Sequence, residues 1–110
     1  MNYKPLNIAV AGLGTVGVGV LKILKENQSI ISNKTNRLLQ VKAVSARDRH
    51  KTRDIDLDKI EWVENPTTLA EAENIDVIVE VIGGATDPSK SLVETALKNG
   101  KHVVTANKAL

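Results

Sequence analysis

Gly12-Leu13-Gly14-Thr15-Val16-Gly17 has the spacing G-x-G-x-x-G, a pattern whose chemistry is phosphate binding. The spacing arises by chance in many chains and gains meaning from its flanks. Here it follows the apolar run Ile8-Ala9-Val10-Ala11 and precedes a stretch with helical periodicity. In that setting each glycine has its own use. Gly12 permits a tight turn, Gly14 lets the backbone approach a pyrophosphate, and Gly17 lets the helix lie close to the strand. The helix N-terminus then presents N–H groups and a partial positive charge to the phosphates. The alternative is a glycine-rich strand-to-helix turn with no ligand. No Gly-Lys-Ser/Thr follows, so this is not a Walker loop.

The second candidate is Arg47. A dinucleotide fold places an acidic residue at the end of its second strand to hold the adenosine ribose. At that point this chain reads Arg47-Asp48-Arg49-His50-Lys51-Thr52-Arg53, with four of seven residues Arg or Lys. A guanidinium fork suits a ribose 2′-phosphate, so Arg47 points to NADP. Asp48 could still reach a ribose hydroxyl, which leaves NAD open. Arg49, Lys51 and Arg53 are read as a solvated charged loop, the alternative for Arg47 as well. A third group sits after later strands. Gly83-Gly84 either allow backbone to pass close to a ligand, here the nicotinamide ribose, or form an ordinary loop, and Thr105-Ala106-Asn107-Lys108 set at the mouth of the last strand a lysine that is otherwise a surface residue. Glu80 interrupts an apolar strand and is read as structural. His50 and His102 lack carboxylate or cysteine neighbours at ligand spacing, so no metal site is expected.

The elements that must position these residues follow from periodicity. A strand at 8–11 leads into a helix over 15–31, whose recurring apolar residues are Val16, Val20, Ile23, Leu24 and Ile31. Gly17 and Gly19 weaken its first turns by about 1 kcal/mol each relative to alanine. Residues 32–36 read as a polar loop, 39–46 as a second strand, 47–58 as a charged connection and 60–63 as a short third strand. Thr68 and Glu71 have capping-box spacing and open a brief helix to about residue 74. A fourth strand runs over 76–82. Asp87-Pro88 reads as N-cap and first-turn proline of a helix with inward Leu92, Val93, Ala96 and Leu97, stopped by Gly100. A fifth strand covers 102–105. This alternation predicts an α/β fold, a Rossmann-type parallel sheet with helices on both faces.

Composition excludes several function classes. The chain has 110 residues, 42% hydrophobic and 25% charged, the balance of a single globular domain. Tyr3 and Trp62 are its only aromatics, so a base-stacking platform for nucleic acid is not expected. The formal charge of +2 is too mild to imply a polyanion partner. No cysteine is present, which removes disulfides, thiolate metal sites and thiol nucleophiles and fits a reducing compartment. No run of 18 apolar residues occurs. Residues 8–20 carry no charge and superficially mimic a secretory signal, but four of those thirteen residues are glycine and no cleavage pattern follows. A cytoplasmic, membrane-free protein is expected.

The glycine turn, Arg47, Glu80-Val81-Ile82-Gly83-Gly84 and Gly100-Lys-His-Val-Val-Thr-Ala-Asn-Lys-Ala-Leu110 together resemble the nucleotide-binding domain of homoserine dehydrogenase, over essentially the whole chain. The terminal motif is the most specific part. The resemblance implies an enzyme of threonine and methionine biosynthesis that interconverts L-homoserine and L-aspartate 4-semialdehyde with NAD or NADP. It implies that Leu13, Thr15 and Val16 in the turn contact the cofactor, that Arg47 meets the adenosine ribose or its phosphate, and that Gly83, Gly84, Thr105 and Asn107 belong to the same site. It places Lys108 in the active site, where a desolvated lysine can move the hydroxyl proton of an alcohol. On this view residues 1–110 are the NAD(P)-binding domain of a homo-oligomeric parent with a small-molecule substrate. The substrate and dimerisation domain is expected to lie outside this chain, which would be inactive by itself. A stand-alone nucleotide-binding or sensing module, and a dehydrogenase for another semialdehyde, remain alternatives.

Overall fold

The structure is a computed structural model that describes residues 4–47, 55–82 and 88–106. Five parallel strands form one sheet in the order β3-β2-β1-β4-β5: β1 (Lys4–Ala11), β2 (Arg37–Ser45), β3 (Glu61–Trp62), β4 (Val77–Glu80) and β5 (His102–Thr105). The chain winds outward from β1 to β3, then crosses back to lay β4 on the other side of β1. The C-terminal ends of β1 and β4 therefore flank the point where the winding reverses, which is where such sheets bind ligands.

Side-chain alternation divides the core into two layers. Ile8 and Val10 of β1, Val44 of β2 and Val77 of β4 face α1 (Thr15–Glu26). Ala9, Ala11, Ala43 and Ile78 face α3 (Pro66–Glu71) and α4 (Ser89–Lys98), which supply Leu69, Leu92 and Ala96 there. The sheet thus carries helices on both faces, as expected. Its alternation survives a register shift between Ile8 and Ala9. Ile8 pairs with Val41 and Ala9 with Ala43, so the exposed Lys42 is bulged out rather than buried among alanines.

The helix expected over 15–31 is two helices. Asn27 donates both its backbone N–H and its side-chain Nδ2–H to the Ile23 carbonyl, ending α1. Then α2 (Gln28–Thr35) begins, occupying most of the segment read as a polar loop. It ends at Asn36, which takes a left-handed conformation (φ 57°). The inward face of α1 also differs: Gly17 and Leu21 are buried, whereas Val16 and Ile23 are more than half exposed. In the connection before β3, Ile55 and Leu57 pack against the α1-side core, although this segment reads as charged in sequence.

The start of α3 corrects the capping box. Pro66 occupies the first turn, and the Asn65 carboxamide oxygen accepts from the Thr67 N–H at 3.0 Å, so Thr68 lies inside the helix. Extended Ala72 ends α3 before residue 74. The strand ends shift too, since β1 begins at Lys4, β2 spans Arg37–Ser45, β3 only Glu61–Trp62 and β4 only Val77–Glu80. In α4, Leu92 and Ala96 point inward but Leu97 is 60% exposed. Leu97 lies one residue past the stripe, roughly 100° further round the helix than Ala96. The start of α4 differs from the sequence reading as well: Pro88 takes the N-cap position, with helical backbone angles, so it precedes the first turn that opens at Ser89, and Asp87 lies outside the described residues.

Gly100 ends α4 as the sequence suggests, at φ +73°. The Gly100 N–H donates to the Leu97 carbonyl and the Lys101 N–H to that of Ala96, the paired bonds of a Schellman motif. A Cβ here would meet no atom within 4 Å, so an alanine would incur only the left-handed backbone penalty. Gly100→Ala is expected to lower stability by roughly 1–2 kcal/mol, read as a reduced midpoint in urea denaturation. No helix among the described residues is long and apolar enough to cross a membrane.

Candidate functional site

The glycine turn forms because β1 is pinned on both sides at its C-terminal end. Gly12 donates to the Ser45 carbonyl at 2.7 Å, and Val81 donates to the Ala11 carbonyl at 2.9 Å. The chain must then turn sharply, and Gly12 does so at φ +104°, where a Cβ would lie 2.8 Å from the Val81 carbonyl oxygen. Gly17 sits even closer to this turn, since a Cβ on it would fall 1.9 Å from the Gly12 carbonyl oxygen. Gly14 differs from both. It is exposed, extended, and has nothing within 4 Å of where its Cβ would stand.

Gly14 is also the N-cap of α1. It has no side chain with which to cap, and the first turn of α1 carries no acidic residue. The first intrahelical bond runs from the Val18 N–H to the Gly14 carbonyl at 3.0 Å, so the N–H groups of residues 15, 16 and 17 precede the helical ladder. An open cradle in front of an uncapped helix N-terminus fits the diphosphate of a dinucleotide. Thr15 and Val16 are exposed in this first turn, whereas the Leu13 side chain is buried in the α1-side core.

The turn opens into a cleft of about 430 Å³ at the C-terminal ends of the strands. Gly12, Leu13 and Gly14 line one part of it, and Ser45, Ala46 and exposed Arg47, from the end of β2, line another. Val81 and Ile82 come from the end of β4, Glu64 and Pro66 from before α3, and Pro88 from before α4. The structure thus brings Arg47 to the same cleft as the glycine turn. The residues before α3 and α4 have no motif in the sequence; their only signal is that both lead from a strand end into a helix, on the side where ligands gather.

Gly83, Gly84, Asn107 and Lys108 lie outside the described residues, as do Asp48, Arg49, His50, Lys51 and Arg53. Their described neighbours are informative. Ile82 and Pro88, on either side of the glycine pair in sequence, both line the cleft. Thr105 closes β5 opposite Glu80 of β4 and donates its hydroxyl to Glu80 Oε1 at 2.7 Å. Glu80 is fully buried, and its other oxygen accepts from the Ile82 N–H at 2.6 Å. This satisfies both oxygens of a carboxylate that breaks an otherwise apolar strand.

Residues 12–110 match the family profile described as "Homoserine dehydrogenase, NAD binding domain". The chain is 39% identical over 107 residues to homoserine dehydrogenase of Methylobacillus glycogenes, covering 97% of this chain and 26% of that protein. It is 37% identical to that of Bacillus subtilis, with 97% and 24% covered. Among solved structures it superimposes on homoserine dehydrogenase of S. aureus at pH 7.0 with a TM-score of 0.89 and 42% identity, over 99% of this chain and 28% of that one. The enzyme from Thiobacillus denitrificans gives 0.87 and 38%, over 96% and 24%. The chain therefore spans about a quarter of the length of the relatives it matches. By its matching profile, its relatives and its glycine-turn cleft, this chain belongs to the family of homoserine dehydrogenase NAD-binding domains.

Proposed function

We propose that the chain is the NAD(P)-binding domain of a longer oxidoreductase that interconverts L-homoserine and L-aspartate 4-semialdehyde. The observation that carries this is the open Gly14 cradle before the uncapped N-terminus of α1, set in one cleft with Arg47. A bound NAD(P) supplies the hydride acceptor or donor at its nicotinamide ring. Everything else is work for the protein. The first-turn N–H groups of α1 hold the diphosphate, the Arg47 guanidinium meets the adenosine ribose and its 2′-phosphate, and Gly83, Gly84, Thr105 and Asn107 border the nicotinamide end. Lys108 takes up the proton of the substrate hydroxyl as the alcohol becomes an aldehyde, and returns it in the reverse direction. A homo-oligomeric assembly, a small-molecule substrate and a cytoplasmic setting belong to the same proposal.

Calorimetric titration with NADP and NAD tests it. Both cofactors should bind, and a chain that takes up neither ends the proposal. Arg47→Ala should weaken NADP by about 1–3 kcal/mol, the scale of a hydrogen bond to a charged group, and leave NAD nearly unchanged. The difference should shrink as salt rises, since Arg47 is exposed. Equal losses for both cofactors would make Arg47 a residue that shapes its loop instead of one that reads the phosphate.

A further inference from the structure

We propose that Glu80 is a positioning residue that sets the nicotinamide end of the site, an inference that rests on the cofactor-binding function above. Its carboxylate ends β4 with no exposure to solvent, in a strand otherwise made of Val77, Ile78 and Val79. Burying a carboxylate is costly, and an apolar residue would serve stability alone at least as well. What the carboxylate adds is a tie in two directions. Oε2 accepts from the Ile82 N–H at 2.6 Å, two residues ahead on its own chain, and Oε1 accepts from the Thr105 hydroxyl at 2.7 Å, at the end of the neighbouring strand. The Glu80 carbonyl also accepts from the Ala106 N–H at 3.2 Å.

One side chain thus holds the exits of both β4 and β5, through hydrogen bonds at the short lengths that charge assistance produces. Ile82 lines the cleft and is followed directly by Gly83-Gly84. Thr105 is followed by Asn107 and Lys108, and three residues of chain reach at most roughly 11 Å. Both segments assigned to the nicotinamide end therefore leave from residues that Glu80 holds. The glycine turn and Arg47 leave from β1 and β2, and the turn is tied to the exit of β4 by a bond of its own, from the Val81 N–H to the Ala11 carbonyl, which uses no Glu80 oxygen.

Binding of NADPH and of ADP-ribose, which lacks the nicotinamide, separates the two ends. Glutamine can keep both ties, its oxygen accepting from Ile82 and its N–H₂ donating to the Thr105 hydroxyl, so methionine, which has a similar length and makes neither bond, is the variant that removes them. Glu80→Met should lose roughly tenfold in NADPH affinity while ADP-ribose binds as before, with an unchanged circular dichroism spectrum. Thr105→Val should show the same split, and Thr105→Ser, which retains the hydroxyl, should recover most of the affinity. Should Glu80→Met unfold, the Val and Ser pair at Thr105 carries the test alone. Equal losses for both ligands, no loss for either, or a serine variant no better than valine would overturn the positioning role while leaving the cofactor site intact. A wild-type chain that binds neither ligand would instead remove the cofactor site, and this inference with it.

Discussion

Lys108→Ala in the full-length enzyme proposed above should lower kcat by roughly 100- to 10,000-fold, the range for loss of a general acid–base group. The expectation rests on position and chemistry. Thr105, three residues before Lys108 in sequence, ends β5 on the side of the sheet where the glycine turn and Arg47 share a cleft. Conversion of an alcohol to an aldehyde requires a group that accepts the hydroxyl proton as hydride leaves carbon, and a lysine in a desolvated site can do so. Arginine at 108 should not restore turnover, because guanidinium remains protonated. The pH–rate profile of the alanine variant should lose or shift one ionisation limb. A lysine with only a structural role predicts reduced thermal stability and near-normal turnover of the folded fraction. Near-normal kcat at saturating cofactor and substrate would therefore remove Lys108 from the chemistry.

The second large effect is expected at Gly17, and Gly14 provides its control. A methyl group at Gly17 would stand 1.9 Å from the carbonyl oxygen of Gly12, a backbone atom fixed in a turn that is itself bonded to Ser45. Neither partner is the end of a flexible side chain, so α1 would have to lift away from β1. Gly17→Ala should then destabilise the chain by at least the roughly 1–3 kcal/mol of ordinary core overpacking. That is a large share of the about 5–15 kcal/mol that holds a typical domain folded. Gly14→Val should behave in the opposite way. It meets open space and an extended backbone, so stability should stay within about 0.5 kcal/mol of wild type, but the cradle is filled and NADP binding should fail. Urea denaturation and calorimetric titration of both variants check the pair. Wild-type stability in Gly17→Ala would mean that the close approach of α1 to the turn is not what that glycine supplies.

Much of this site was legible before any coordinates, because its key features are local. A G-x-G-x-x-G run between an apolar strand and a helix constrains backbone within six residues, and the positive φ of Gly12 and the close approach of Gly17 follow from that constraint. Gly100 ends α4 for the same kind of reason. The alternation of strand and helix patterns was enough for a parallel sheet covered on both faces.

The structure departs from these patterns where two local signals compete, or where a helix is apolar around much of its circumference. Both Asn65-Pro66 and Thr68-x-x-Glu71 could open α3, and the proline's fixed φ together with the Asn65 side chain decided it. The first helix carries Val16, Val18, Val20 and Ile23 around much of its circumference, so periodicity could not set its rotation. Contact between Gly17 and the Gly12 turn did, leaving Val16 and Ile23 in solvent. By itself, then, the sequence determined the alternation of strands and helices and where glycine must turn the chain, since these depend on neighbours a few residues apart. Only the tertiary structure decided that β4 returns beside β1, that Arg47 and Ile82 share a cleft, and that Glu80 finds Thr105 twenty-five residues away, because those pairings are fixed by sheet order and packing that no local spacing encodes.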